Sequence, residues 1–178
     1  MGYIVWDMSQ KQKSCYNVGY IAKGRAGLMN TCFFIGHRDT PADIYSQIVA
    51  EVERLILCGV TEFVVGHYGA FDRMAARAVR EAKRQHPEIR LTLLLPYYET
   101  NTSRYGTGFD EIIYPEGQEA IPKRAAIIRA NQYMIDHCDF LIMYARHIGS
   151  NTREFLDYAE RLATRKGKPR IINLNNEI

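Results

Sequence analysis

The chain has 178 residues, 47% of them hydrophobic, and a formal net charge of +3. That size and apolar share suit one domain with a sizeable core. The mildly basic balance, with a pI near 8.6, admits an anionic small ligand; Lys and Arg are scattered with no basic stripe interleaved with aromatics, which argues against nucleic acid as a partner. No run approaches the roughly 20 apolar residues of a membrane span, and the N-terminus lacks the basic-then-apolar order of a signal peptide. The expectation is a cytoplasmic protein that does not engage a membrane. Cys15, Cys32, Cys58 and Cys138 form neither a CxxC pair nor a zinc spacing and read as reduced thiols.

Residues 1–30 alternate apolar and polar residues without a sustained period and read as an N-terminal extension, a hairpin or an arm. An ordered extension and a start of translation at Met29 both fit. The domain proper is expected over 31–178. Cys32 to Ile35 is a short unbroken apolar run, the mark of a strand buried on both faces, and Gly36 ends it. His37, Arg38, Asp39 and Thr40 are thus delivered at a strand's carboxyl end, before a helix whose first turn Pro41 can occupy.

Ile44, Ile48, Val52, Leu55 and Ile56 recur at helical spacing up to Gly59. Phe63 to Val65 is a second strand, stopped by Gly66 and followed by His67, Tyr68 and Gly69. The next helix carries Phe71, Ala75, Ala78, Val79 and Ala82 on one face, with Arg73, Arg77, Arg80 and Arg84 reading as its solvated face. Leu91 to Leu95 is a third strand, ahead of Tyr97 and Tyr98, whose rings could stack on a base or sugar. A Gly-, Ser- and Thr-rich stretch follows, of the kind that acts as a flap, with a short fourth strand within Phe109 to Tyr114. Pro122 to His137 reads as a helix with Asn131 on its apolar side, Phe140 to Tyr144 as a strand, the segment after Arg146 as a loop leading to a helix ending near Lys166, and Arg170 to Leu174 as the last strand. Strands alternating with helices predict an α/β, Rossmann-like three-layer domain with a mostly parallel sheet.

In such a sheet ligands bind outside the carboxyl ends of the strands. The expected site therefore gathers Gly36, His37, Arg38, Gly66, Tyr68, Gly69, Asp72, Asn131, Gly149, Ser150, Asn151 and Thr152 around one pocket. Helix starts at Gly69 and Ser150 would offer backbone donors to a phosphate. Taken alone, Asp72 reads more simply as a residue interacting with its own helix dipole. Neither GxxxxGK nor GxGxxG occurs. His37, His67 and His147 lie at strand ends without ligand partners at metal spacing, so neither a metal nor another cofactor is expected.

The order of these pieces resembles the SLOG superfamily, the Rossmann-like grouping named for DNA-processing protein A and the Lonely Guy enzymes, and within it the small YpsA-like bacterial and prophage proteins. The matching stretches are FFIGHR from Phe33, GHYGAFDRMAA from Gly66, LLLPYY from Leu93, NQYMIDHCD from Asn131 and IGSNTREFLDYA from Ile148, together spanning nearly all of residues 31–174. The resemblance implies a nucleotide or nucleotide-derived ligand held by Gly36, the Gly66 to Asp72 turn and the Gly149 to Thr152 loop. Lonely Guy phosphoribohydrolases carry PGGxGTxxE before their last major helix. Here Ile148 to Phe155 departs from it, with Phe155 at the glutamate position and Glu154 one place off, turned by roughly 100° on a helix. The expected function is a binding module that senses or sequesters a nucleotide. The alternative is an N-glycoside hydrolase acting on nucleoside monophosphates, with Glu154 catalytic, or Asp72 or Glu99 supplying the carboxylate. A homo-oligomer is left open.

Overall fold

The computed structural model describes residues 30–99, 101–115, 121–146 and 149–175. The hairpin or arm expected over 1–30 lies outside them save for Asn30, and so do His147 and Ile148. Among the described residues six strands form one all-parallel sheet: β1 (Asn30–Gly36), β2 (Val60–Val65), β3 (Arg90–Leu94), β4 (Glu111–Ile113), β5 (Phe140–Tyr144) and β6 (Arg170–Asn173). The helices are α1 (Tyr45–Leu57), α2 (Ala70–Ala82), α3 (Lys123–His137) and α4 (Asn151–Lys166). This is the expected Rossmann-like arrangement.

Successive side chains of a strand point to opposite faces, and here both faces are covered. Cys32 and Phe34 pack with Ile48, Val52, Phe71 and Ala75 of α1 and α2. Phe33 and Ile35 pack on the other side with Met134 and Ile135 of α3 and Phe155, Leu156 and Ala159 of α4. The strand residues expected in the core, Phe33, Ile35, Val64, Leu93, Leu141 and Met143, are all buried. Each such side chain contributes about 1.5–3 kcal/mol by leaving water.

Helix ends follow local chemistry. After α1, Gly59 takes a left-handed φ of +88°, and after α4 Gly167 takes +74° while its N–H bonds the Ala163 carbonyl at 2.8 Å. Pro41 does not sit inside α1 as the sequence suggests; it precedes a 3-10 turn, Ala42–Ile44, that feeds the helix. Cys32 and Cys138 are buried free thiols, but Cys58 is disulfide-bonded, so the expectation of reduced thiols throughout does not hold. Among the described residues no helix is long and apolar enough to cross a membrane.

The strand order is β4-β3-β2-β1-β5-β6. The chain builds outward from β1 to β4, then returns to lay β5 along the other side of β1. The order therefore reverses between β1 and β5, and at such a switch point the two connections leave in opposite directions and open a crevice. One crossover lacks an α-helix: between β3 and β4 the chain passes through a 3-10 turn, Ser103–Tyr105, and seats Phe109 against the α1/α2 layer.

Candidate functional site

Because every strand runs the same way, Gly36 at the end of β1, Gly66 just after β2 and Gly149 just before α4 belong to the same, C-terminal, edge of the sheet. Across the switch point the backbone N–H of Arg146 donates to Nε2 of His37 at 2.9 Å. His37 is buried, and its carbonyl accepts the Thr40 hydroxyl at 2.7 Å. The histidine thus fastens the loop after β5 to the loop after β1.

Two glycines of the expected cradle serve packing. A Cβ on Gly36 would lie 2.3 Å from the ring of Phe71, so the bare backbone there admits a core phenylalanine. A Cβ on Gly69 would lie 2.7 Å from the Cα of Arg38, where the two loops press together and Ala70 N–H donates to the Arg38 carbonyl at 2.8 Å. Asp72 Oδ2 accepts the N–H groups of Tyr68 at 2.8 Å and Gly69 at 3.2 Å. The start of α2 is therefore filled by the chain's own carboxylate and carbonyl, and the open phosphate donors expected at Gly69 are already engaged. The simpler reading of Asp72, as a residue serving its own helix, matches this geometry.

The start of α4 is different. Ser150 caps it, its hydroxyl accepting Arg153 N–H at 3.3 Å and its carbonyl accepting Glu154 N–H at 3.1 Å. Gly149 has a φ of +76° and no atom of a described residue within 4 Å of where a Cβ would stand, Asn151 is exposed and Thr152 buried. Glu154 is exposed and lines a cavity of about 340 Å³ between α3 and α4, together with Asn151, Gln132 and Arg161. Phe155, at the position the Lonely Guy pattern gives to glutamate, is a core residue under α4. Asn131 is half-buried on α3 and Arg38 exposed at the rim. Eleven of the twelve expected ligand-binding residues lie at the carboxyl ends of the strands or the helix starts that follow them, while Asn131 lies midway along α3; the cavities divide them further, with Gly66 and Asp72 lining one and Asn151 another.

The cavity holding Gly66 and Asp72 is about 570 Å³, within the usual size of small-molecule sites. Its floor is Gly66, His67 and Asp72; α2 adds Arg73, Ala76 and Arg80; the β3–β4 connection closes it with Arg104, Tyr105 and Phe109. His67 lies against Tyr68 with centroids 3.9 Å apart and the rings tilted by 36°, and meets Tyr105 edge-on at 4.6 Å. Burial, then the Arg104 charge, hold His67 below the usual histidine range. Its buried Nδ1 has no hydrogen-bond partner among the described residues. The guanidinium of Arg80 lies 4.6 Å from the Phe109 ring, and that of Arg104 bonds Glu99 and the Tyr105 hydroxyl. Burial pushes the Asp72 carboxyl up to about 6, against the two backbone N–H groups that favour its charged form. Such a lining can stack a planar ring, bind an anion through cationic side chains and present a carboxyl that exchanges protons near neutrality.

Sequence reasoning missed most of this lining. Arg73 and Arg80 read as a solvated helix face, and Arg73 is exposed as expected, but Arg80 is half-buried against Phe109; Arg104, Tyr105 and Phe109 were hidden in the flap. The available signal was spacing: Asp72, Ala76 and Arg80 follow one another at four-residue steps along one stripe of α2.

No family model and no curated protein matches the chain. Among solved structures, DNA processing protein A from Helicobacter pylori, studied for its single-stranded DNA binding mode, aligns with a TM-score of 0.57 at 16% identity, over 84% of this chain and 71% of its own. The two share a fold. That neighbour corrects the expectation that nucleic acid is no partner, because the fold here is one on which a single-stranded DNA-binding protein is built. The physical reason is that cations and rings far apart in sequence, Arg73 and Arg80 on α2 and Arg104, Tyr105 and Phe109 on the flap, come together only after folding. A search for a contiguous basic stripe does not register them.

Proposed function

We propose that this domain binds a nucleotide unit in the cavity between the end of β2, α2 and the flap, as a SLOG-type binding module of the YpsA-like kind. The observation that carries the reading is the grouping of Arg73, Arg80 and Arg104 with the rings of His67, Tyr105 and Phe109 around one cavity at the ligand-binding edge of the sheet. A base stacks on the aromatic wall while its phosphate lies against the arginines, whose charge-assisted bonds contribute about 1.5–3 kcal/mol each. The shared fold with a single-stranded DNA-binding protein is consistent with a nucleotide unit either free or within a strand.

Calorimetric titration with nucleoside monophosphates and with short single strands tests this. Arg80→Ala lowers affinity about tenfold or more, for the loss of one charge-assisted contact. Unchanged affinity in both Arg80→Ala and Arg73→Ala would rule the site out.

One observation favours turnover as a second reading. Asp72 stands in the same cavity with its carboxyl near 6, where a general acid is effective at neutral pH, whereas Glu154 faces a different cavity. Glycoside cleavage needs a carboxylate beside the oxocarbenium-like centre. Release of free base from a monophosphate, lost in Asp72→Asn, would move the assignment from binding module to hydrolase.

A further inference from the structure

Beside the first cavity is a second, of about 480 Å³, lined by Tyr97, Tyr98, Glu99, Asn101, Arg104 and Lys123. Arg104 lines both, so the two cavities are separated by a guanidinium. At the outer side Tyr98 is 61% exposed and Tyr114 43% exposed, and their rings meet at 77° with centroids 5.3 Å apart. Lys123 Nζ stands 5.3 Å from the centroid of the Tyr97 ring.

Resting on the nucleotide reading of the first cavity, we infer that the ligand carries two planar bases joined through phosphate. The first base occupies the His67–Tyr105 cavity, the second stacks on Tyr98, and the linking phosphate lies on Arg104. Two exposed tyrosines in edge-to-face contact, next to a cation, present a ring surface for stacking that a mononucleotide held in the first cavity leaves unused. The bonds of Arg104 to Glu99 and Tyr105 both run through Nη2, so Nε and Nη1 make no hydrogen bond to a described residue in a side chain that lines both cavities. Lys123 adds charge on the far side of that boundary. Two ligand sources share this chemistry, a dinucleoside polyphosphate and a single strand.

The test is titration of the full chain with thymidine monophosphate, the dinucleotide pTpT, an oligothymidylate of eight units and diadenosine tetraphosphate. At least one two-base probe is expected to bind about tenfold tighter than the monophosphate, and Tyr98→Ala to remove most of that gain while leaving monophosphate binding unchanged. A preference for the octamer identifies a strand; a preference for diadenosine tetraphosphate identifies a free dinucleotide. Tyr98 is exposed, so its replacement leaves the core intact, and Tyr98→Phe should retain the gain. If two-base probes bind no tighter than the monophosphate, or the gain survives Tyr98→Ala, the inference is wrong while the first-cavity reading stands on the Arg80→Ala result. If Arg80→Ala and Arg73→Ala both leave every probe unaffected, the first-cavity reading fails and this inference with it.

Discussion

His37 Nε2 accepts the backbone N–H of Arg146 at 2.9 Å, joining the two loops that diverge at the switch point between β1 and β5. The acceptor role requires that nitrogen to be unprotonated, so in this arrangement the imidazole is neutral with its proton on Nδ1. His37→Ala removes a partly buried hydrogen bond and should cost about 1 kcal/mol in chemical denaturation. It should also raise hydrogen exchange at the Arg146 amide. No change in that exchange would show that the bond does not hold the loops together.

Gly36 is needed for steric reasons. Gly36→Ala places a methyl group 2.3 Å from the Phe71 ring, which should cost about 3 kcal/mol, near the upper end for core overpacking. Because the clash extends to Phe71 Cβ at 2.7 Å, adding Phe71→Leu should restore only part of the loss. Thermal melts of the single and double variants decide it; a Gly36→Ala protein as stable as the parent contradicts the packing.

Asp72 gives a pH signature with a definite sign. Its folded carboxyl is raised to about 6 from an ordinary 3.8, so the folded state takes up the proton first. Its contribution to stability is fully present below 3.8 and is lost as pH rises through about 6. Asp72→Asn keeps an oxygen acceptor without the charge, so its stability relative to the parent should rise between pH 4 and pH 7. Asp72→Ala, which has no acceptor for Tyr68 and Gly69 N–H, should be less stable than the Asn variant at every pH by about 1 kcal/mol. Denaturant titrations across that range test both, and a relative stability that falls with pH refutes the assignment.

The buried thiols should be inert. Burial raises Cys32 well above its ordinary value and pushes Cys138 up to about 12. Alkylation followed by peptide mapping should leave both unmodified at pH 8 in the native protein and modify both once it is unfolded. Native modification of either would contradict the burial.

The central strands were readable in the sequence because β1 and β5 are unbroken apolar runs and β2 and β3 carry shorter ones stopped by Gly66 and Pro96, as a sheet covered on both faces needs. The edge bearing the site followed from the strand–helix alternation alone. What could not be read was which groups at that edge face one another. Gly36 and Gly69 have the composition of a phosphate cradle, yet one makes room for Phe71 and the other for the Arg38 backbone. Arg80 looked like solvated helix surface because its partner, Phe109, sits in a loop with no periodicity. Phe155 broke a catalytic pattern in the sequence, and its burial under α4 gives the replacement a packing role.

The helix-free crossover between β3 and β4 makes the edge of the sheet and the wall of the cavity a single mechanical unit. β4 has only three residues and pairs with β3 alone; ion pairs of Asp110 with Lys83 and of Glu111 with Arg90 moor it from its N-terminal side. The segment that carries Arg104, Tyr105 and Phe109 runs directly into it. Opening the wall therefore loosens the edge strand β4, and a ligand that holds the wall shut should slow exchange of amides in β4 that it never touches. An edge strand of this kind reports occupancy at a distance.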